Sequence, residues 1–212
     1  MTDVKTLIPV TDRIRKRFGI SSFCIVADRG MISNNTVNQL ENRRITYILG
    51  ARMRRVNDIK LDVFSHRGRY SEVYPEGVSS KDPSPLKVKE IVHNGTRYIV
   101  CVNSRQARKD AADREAIIDS LKEQLKKGPK NLVGNKGYRK YLKLDKNSVR
   151  IDMDKVKYDS RFDGKWVLTT NPDLPAEKVA LKYKELWQVK RVFRDVKILL
   201  HTRPIFHHLL CR

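Results

Sequence analysis

The sequence lacks a long apolar segment and an export signal. Its longest apolar strings, such as residues 23–27, have only the length of a strand, whereas a membrane-spanning helix needs about 18 or more consecutive apolar residues. The first residues, Met1 to Pro9, do not combine a charged stretch with an apolar one, which argues against a leader peptide. We therefore expect a cytoplasmic protein with no membrane partner.

Cysteine is scarce as well. The chain has three cysteines, and none of them is in CxxC spacing: Cys24, Cys101 and Cys211. This number and spacing argue against a disulfide framework and against a zinc site. Two of the three lie in β-branched runs, which predicts buried thiols in a reducing compartment.

Acidic residues are few in comparison with basic ones. The 212 residues include 24 Asp and Glu against 45 Lys and Arg, which gives a net charge of +21 and a pI near 10.1. This charge exceeds what solubility requires and favours a polyanionic partner, nucleic acid above all. A basic surface of the ribosomal type, without catalytic meaning, is the alternative. A hydrophobic share of 40% is sufficient for a core.

The N-terminal quarter of the chain alternates predicted helices and strands. An amphipathic helix is expected over residues 4–18, followed by a buried strand over residues 23–27. Ser33 or Asn34 can cap a second helix, and residues 46–50 form a second short strand. This rhythm is typical of an α/β sheet.

Shorter strands and one long helix are predicted after residue 50. The Asn94-Gly95 pair between two alternating runs is a strong hairpin signal. The predicted elements are a strand over 59–64, a hairpin of 86–93 and 96–102, a helix over 107–127, and a strand over 165–170. The Lys-, Gly- and Asn-rich segment over 131–146 is expected to be mobile or to face DNA.

A C-terminal helix is predicted over Tyr183 to Lys197. An apolar stripe at helical spacing predicts that this helix lies on a core: Leu186, Val189, Phe193, Val196 and Leu200. Lys190 and Lys197 fall inside the stripe. Because a buried cation is costly without an anion, both lysines require a partner such as a carboxylate, a metal-bound phosphate or nucleic acid.

Asp28 is the first candidate for chemistry. It directly follows the strand over 23–27, and α/β folds place ligands at the carboxyl ends of their strands. The alternative is that Asp28 caps the loop before Ser33. Its position alone does not separate the two.

Four ordered segments resemble the catalytic domain of bacterial insertion-sequence transposases of the DDE type, most nearly the fourth-insertion-sequence family. The segments are Val26–Ser33, Tyr47–Met53, Asp163–Asn171, and Tyr183–Lys197 with Arg203–His207. The resemblance implies DNA transposition, in which three carboxylates hold two Mg²⁺ ions for strand cleavage and transfer. It covers nearly the whole chain.

The fold class that follows is α/β, a partial ribonuclease-H-like sheet with flanking helices and a β-rich insertion. Residues 1–50 would form the N-terminal part of the core, without its first strands. Residues 51–170 would form the insertion with one long helix, and residues 171–212 the last core helix and a shortened tail. We expect a chain truncated at both ends relative to the family.

The resemblance assigns Asp28 to the second carboxylate. The family pattern of Tyr, two residues, Arg, three residues, Glu, six residues and Lys starts at Tyr183, so Leu186 replaces the Arg and Lys190 replaces the metal-binding Glu. Lys197 agrees with the pattern. The first carboxylate is expected upstream of residues 4–18 and is therefore predicted to be absent. Mg²⁺ is the cofactor that the family implies, and an ammonium at position 190 would repel it. We expect that this polypeptide cannot cut DNA.

DNA binding is expected to persist. The family uses the Tyr and Lys at positions 183 and 197 to contact transposon ends, and further basic residues are candidates for phosphate contacts: Arg52, Arg54, Arg55 and Arg203. A solvated loop is the alternative for the cluster over 52–55. If the strand over 23–27 has an open edge, a homo-oligomer is possible.

Three functions remain. The first is a transposase catalytic-domain protein, nucleoid-associated in a bacterial cytoplasm, with its cleavage lost. The second is a non-enzymatic DNA-binding remnant that competes with full-length transposase. The third is a basic nuclease of unrelated mechanism, for which the sequence offers no His/Asp/Asn pattern.

Overall fold

The computed structural model describes residues 6–28, 33–51, 63, 68–74, 85–128, 138–145 and 148–199. The helices are α1 (Leu7–Phe18), α2 (Asn34–Asn42), α3 (Ser104–Lys126), α4 (Met153–Ser160), α5 (Ala176–Lys184) and α6 (Leu186–Leu199). The strands are β1 (Cys24–Ala27), β2 (Thr46–Gly50), β3 (Ser71–Val73), β4 (Leu86–His93), β5 (Thr96–Asn103), β6 (Leu142–Asp145), β7 (Ser148–Ile151) and β8 (Lys165–Thr170). Within the described residues, no helix is both long and apolar enough to cross a membrane.

The main sheet is mixed. It has six strands in the order β1-β2-β8-β5-β4-β3, and β6 and β7 form a separate antiparallel pair. β1 runs parallel to β2, with Ala27 opposite Leu49, and β2 runs antiparallel to β8, with Ile48 opposite Thr170. A mixed sheet with flanking helices confirms the predicted α/β class and is consistent with a ribonuclease-H-like fold.

The chain divides into two compact units, of which the first contains residues 1–66, 90–99 and 167–212. Its core is formed by side chains from α1, α2, β1, β2 and the residue just before β2: Ile8, Ala27, Leu40, Ile45, Tyr47 and Leu49. The Tyr47 hydroxyl donates to Glu41 Oε1 at 2.7 Å. Burial, followed by this hydrogen bond, raises the pKa of Tyr47 well above its usual value.

Asn171 holds the start of β2 in this first unit. Its side-chain oxygen accepts from Tyr47 N at 2.8 Å, and its amide donates to Ile45 O at 3.1 Å. Thr170 Oγ1 donates to Tyr47 O at 3.0 Å. These bonds satisfy backbone groups that would otherwise be buried without partners, so the end of β8 fixes the position of β2.

The second unit contains residues 67–89 and 100–166. Ile118, Leu121 and Tyr141 form its apolar cluster. Arg114 and Asp163 form a two-pronged ion pair, with Nη2 and Oδ2 at 2.6 Å. This geometry suits a guanidinium and a carboxylate that are both largely buried, and it fixes α3 to the turn before β8.

Local signals predicted several elements correctly. Ser33 caps α2, because its Oγ accepts from Thr36 N at 3.1 Å. The hairpin turns at Asn94 and Gly95, whose φ angles of 48° and 72° are both positive, as a two-residue turn of this kind requires. The long helix begins at Ser104, before the predicted residue 107, because the Asn103 side chain caps it by accepting from Gln106 N.

The predicted burial of β1 is wrong. Its residues run from exposed Cys24 to buried Ala27, with the two between them half-buried. β1 lies at one end of the strand order among the described residues, so it has a sheet neighbour on one side only. The expectation of buried thiols therefore holds for Cys101, whose pKa is raised by burial, but not for Cys24.

The predicted C-terminal helix is also corrected. It is interrupted at Glu185, which separates α5 from α6. The apolar face of α6 does not lie on a core among the described residues, since its side chains are exposed: Val189, Val192, Phe193, Val196, Ile198 and Leu199. Phe193 was expected in the core and is 63% exposed. Periodicity identifies an apolar face but does not establish that another element covers it.

The remaining sequence predictions are either not tested by the described residues or incomplete. The predicted strand over 59–64 lies outside the described residues except for position 63, and half of the segment over 131–146 lies outside them as well. The described half of that segment contains β6, which was not predicted. Sequence patterns missed β3 and α4. The division of the chain at residues 50 and 170 stays a prediction.

Candidate functional site around Asp28

Asp28 is presented by the end of β1. The strand ends at Ala27, which is buried, and the next residue carries the carboxylate. Register with β2 places Ala27 opposite Leu49, so a paired backbone supports the residue immediately before Asp28. This is the position at which α/β sheets offer side chains to ligands.

Two side chains from the C-terminal helices meet this carboxylate. The Tyr183 hydroxyl donates to Asp28 Oδ1 at 3.1 Å, and the Lys190 ammonium donates to Asp28 Oδ2 at 2.6 Å. Each carboxylate oxygen therefore has its own donor. The arrangement is a carboxylate held between a neutral hydroxyl and a cation.

The packing of α5 explains how Tyr183 arrives there. α5 contacts both β1 and β2, and it buries Val179 and Ala180. Tyr183 lies one turn after these residues, on the part of α5 that approaches the end of β1. Glu185 then separates α5 from α6, and Lys190 lies in the second turn of α6.

The site is accessible to water. The side chain of Lys190 is 60% exposed and that of Asp28 is 37% exposed. Lys190 is therefore not on a buried helix face, which corrects the sequence-based expectation. Its partner is nevertheless an anion, the carboxylate of Asp28.

Neighbouring acids on these helices have other partners. Glu185 accepts from Lys182 at 3.3 Å, and Asp195 lies 3.8 Å from Arg191. All four side chains are exposed. These ion pairs join residues of the C-terminal helices to each other and do not involve Asp28.

The described side chains around Asp28 do not fit a divalent metal ion. In the described ranges, no group of three His, Cys, Asp or Glu side chains could hold one. Mg²⁺ binds oxygen ligands that carry lone pairs, whereas Lys190 offers only N–H donors and a positive charge. The carboxylate oxygen nearest to Lys190 thus faces a cation that belongs to the chain itself.

The structure does not describe most of the predicted DNA contacts. Arg52, Arg54, Arg55 and Arg203 lie outside the described residues, and the same is true of the Lys197 side chain, although its backbone belongs to α6. The structure does not bring these residues together with Asp28 or separate them from it. Sequence reasoning left out Arg191 and Arg194, two exposed cations of α6, which the charge of the helix alone could have indicated.

The family comparison covers the site. A family model described as "Transposase DDE domain" matches residues 1–204 of the chain. Neither the curated proteins nor the solved structures give a significant match. The matched range includes Asp28, Tyr183 and Lys190.

Proposed function

The chain belongs to the transposase DDE-domain family, and we propose that it binds duplex DNA at transposon ends without cleaving it. The family role is DNA transposition by metal-dependent strand cleavage and transfer. Within it, we assign the chain to the fourth-insertion-sequence group of bacterial transposases. Its location would be the bacterial cytoplasm, in association with the nucleoid.

The ion pair between Asp28 and Lys190 supports the loss of cleavage. Two-metal phosphodiester chemistry requires carboxylates that converge on the metal ions. At Asp28 the converging groups are a phenol and an ammonium, at 3.1 and 2.6 Å. Among the described side chains, α6 therefore brings an ammonium and not a Mg²⁺ ligand to Asp28, and this single observation carries the proposal.

Charge supports retained DNA binding. The net charge is +21, and α6 exposes Arg191 and Arg194 beside the site. Each of these cations can meet a phosphate and release a counterion. We assign further contacts with the transposon end to the family's Tyr and Lys positions, which are Tyr183 and Lys197. We also assign contacts to four basic residues that lie outside the described ranges: Arg52, Arg54, Arg55 and Arg203.

The same ion pair favours a second role, that of a non-enzymatic competitor of full-length transposase. A protein that occupies the ends but cannot cut them would reduce transposition by an active enzyme. The edge position of β1 among the described strands would allow pairing with another copy of the chain, because an edge strand presents unpaired N–H and C=O groups.

Fluorescence anisotropy with a random-sequence duplex tests DNA binding. For the full chain we expect affinity that falls steeply with salt, with a slope of about 0.9 per phosphate contacted. Replacing Arg191 and Arg194 by Glu should reduce this slope by about two units. A matched control replaces two exposed lysines of α3, Lys122 and Lys126, by Glu and changes the total charge equally. Equal decreases of the salt slope in both variants, or the absence of a salt-dependent affinity, would show that α6 does not contact the DNA.

A nicking assay tests the absence of cleavage. Supercoiled plasmid is incubated with the full chain in Mg²⁺ or Mn²⁺, and we expect the same background as with Asp28→Ala. Nicking that requires the metal and disappears in Asp28→Ala would overturn this part of the proposal. The binding result does not depend on it.

A further inference from the structure

The Asp28–Lys190 pair has the geometry of an occupied cation site. The ammonium lies 2.6 Å from Oδ2, close to the ideal distance for a charge-assisted hydrogen bond. A Mg²⁺ ion bound to the same oxygen would lie about 2.0–2.1 Å from it. Both cations would then be within about 5 Å of each other, with the carboxylate oxygen between them.

Repulsion at this distance is large even in water. A dication and an ammonium about 4 Å apart repel by an amount that lowers metal affinity about 30-fold at the dielectric constant of water. Salt at about 0.1 M screens this only partly, because the Debye length of about 10 Å exceeds the separation. A carboxylate at the same distance would attract the metal ion and would raise its affinity by a similar factor.

The position of Lys190 is set by secondary structure rather than by chance contact of two surface chains. Asp28 follows a paired strand, and Lys190 lies within α6, which follows α5 after the single residue Glu185. Tyr183 of α5 holds the other carboxylate oxygen at 3.1 Å. The Asp28 carboxylate is therefore held at both oxygens, by Tyr183 of α5 and by Lys190 of α6.

From this geometry we infer that the Lys190 ammonium takes the place of a divalent cation at Asp28. It neutralises the carboxylate, excludes Mg²⁺ and Mn²⁺ from it, and makes this part of the fold independent of metal. The inference deepens the proposed function and rests on it, since it assigns the loss of cleavage to an internal cation. A single change, Lys190→Glu, should open the site to metal.

Titration with Mn²⁺, followed by the electron paramagnetic resonance of the free ion, tests this on the full chain. We compare the natural chain with Asp28→Asn, Lys190→Gln, Lys190→Glu and the double variant Asp28→Asn/Lys190→Glu. The natural chain and Asp28→Asn should give identical weak binding. Lys190→Gln should bind about 30-fold more tightly than the natural chain, and Lys190→Glu at least 100-fold more tightly. The double variant should lose this gain.

Each outcome decides the inference. Mn²⁺ binding by the natural chain that Asp28→Asn abolishes would show that the ammonium does not exclude the metal. Lys190→Gln and Lys190→Glu that keep a native circular dichroism spectrum but gain no affinity would also overturn it. If Lys190→Glu fails to fold, the Mn²⁺ affinity of Lys190→Gln and the comparison of the natural chain with Asp28→Asn still decide. Loss of DNA binding in the anisotropy assay would refute the proposed function and leave these titrations unchanged.

Discussion

A double-mutant cycle on Asp28 and Lys190 measures how much their contact contributes to folding. The variants are Asp28→Asn, Lys190→Gln and both together, so that shape is nearly kept while each charge is removed. At 2.6 Å the two charges attract by about 1.6 kcal/mol in a medium with the dielectric constant of water. Side-chain ordering and exposure of 60% and 37% reduce this gain, so we expect a coupling free energy of about 0.3–1 kcal/mol.

Urea denaturation at 0.05 M and 1 M NaCl provides the measurement. We expect the coupling to be present at low salt and to fall by at least about half at high salt, because the Debye length shrinks to about 3 Å. A control cycle on Lys122 and Asp119, an exposed pair on α3 with 2.9 Å between Nζ and Oδ1, should give about 0.3–0.5 kcal/mol. Coupling at Asp28 below about 0.2 kcal/mol at low salt, or unchanged by salt, would refute the electrostatic reasoning.

Two further predictions concern the rest of the fold. Gly164→Ala should lower the free energy of unfolding by at least about 2 kcal/mol, because φ is 61° and the new Cβ would clash with Asn103 O. Gly95→Ala should lower it by only about 1 kcal/mol, because φ is 72° but nothing lies within 4 Å of the new Cβ. Equal shifts of the urea midpoint in the two variants would contradict this. The hydrogen bonds from Arg97 hold the pKa of Glu90 below its usual value. The pair therefore stabilises the folded protein at pH values above the pKa that Glu90 has in the unfolded chain. This stabilisation is lost as the pH falls through the lower pKa of Glu90 in the folded protein. Glu90→Gln should therefore show a flatter decline in stability between about pH 5 and pH 3, and parallel profiles for the two proteins would argue against the pair.

Elements with strong local signals could be predicted from sequence. β2 has the predicted bounds of residues 46–50, and the hairpin turns at the predicted Asn94-Gly95. Both features depend on residues that are close in sequence. β2 follows from a short apolar run, and the hairpin turn follows from two residues that adopt positive φ angles. The interruption of the C-terminal helix at Glu185 has no such signal, because neither proline nor glycine lies there. Burial of α6 could not be predicted, because it depends on elements distant in sequence.

The site was predictable in part for the same reason. Asp28 could be identified from its place after an apolar run and from the family pattern, and the sequence required an anionic partner for Lys190. That Asp28 is this partner is a tertiary fact, since 162 positions separate the two residues. The role of Tyr183 as a donor to the same carboxylate could not be derived from periodicity. The structure adds this contact to the family pattern.

The strand order has a consequence for the synthesis of the protein on the ribosome. β2 pairs with β8, and Asn171 supplies a hydrogen bond to Tyr47 across 124 positions of sequence. At roughly 5–20 residues per second, β2 waits about 6 to 25 s for this partner. During that interval the edge of β2 that faces β8 has no partner, so folding of the first unit is completed only after residues 165–171 have been made.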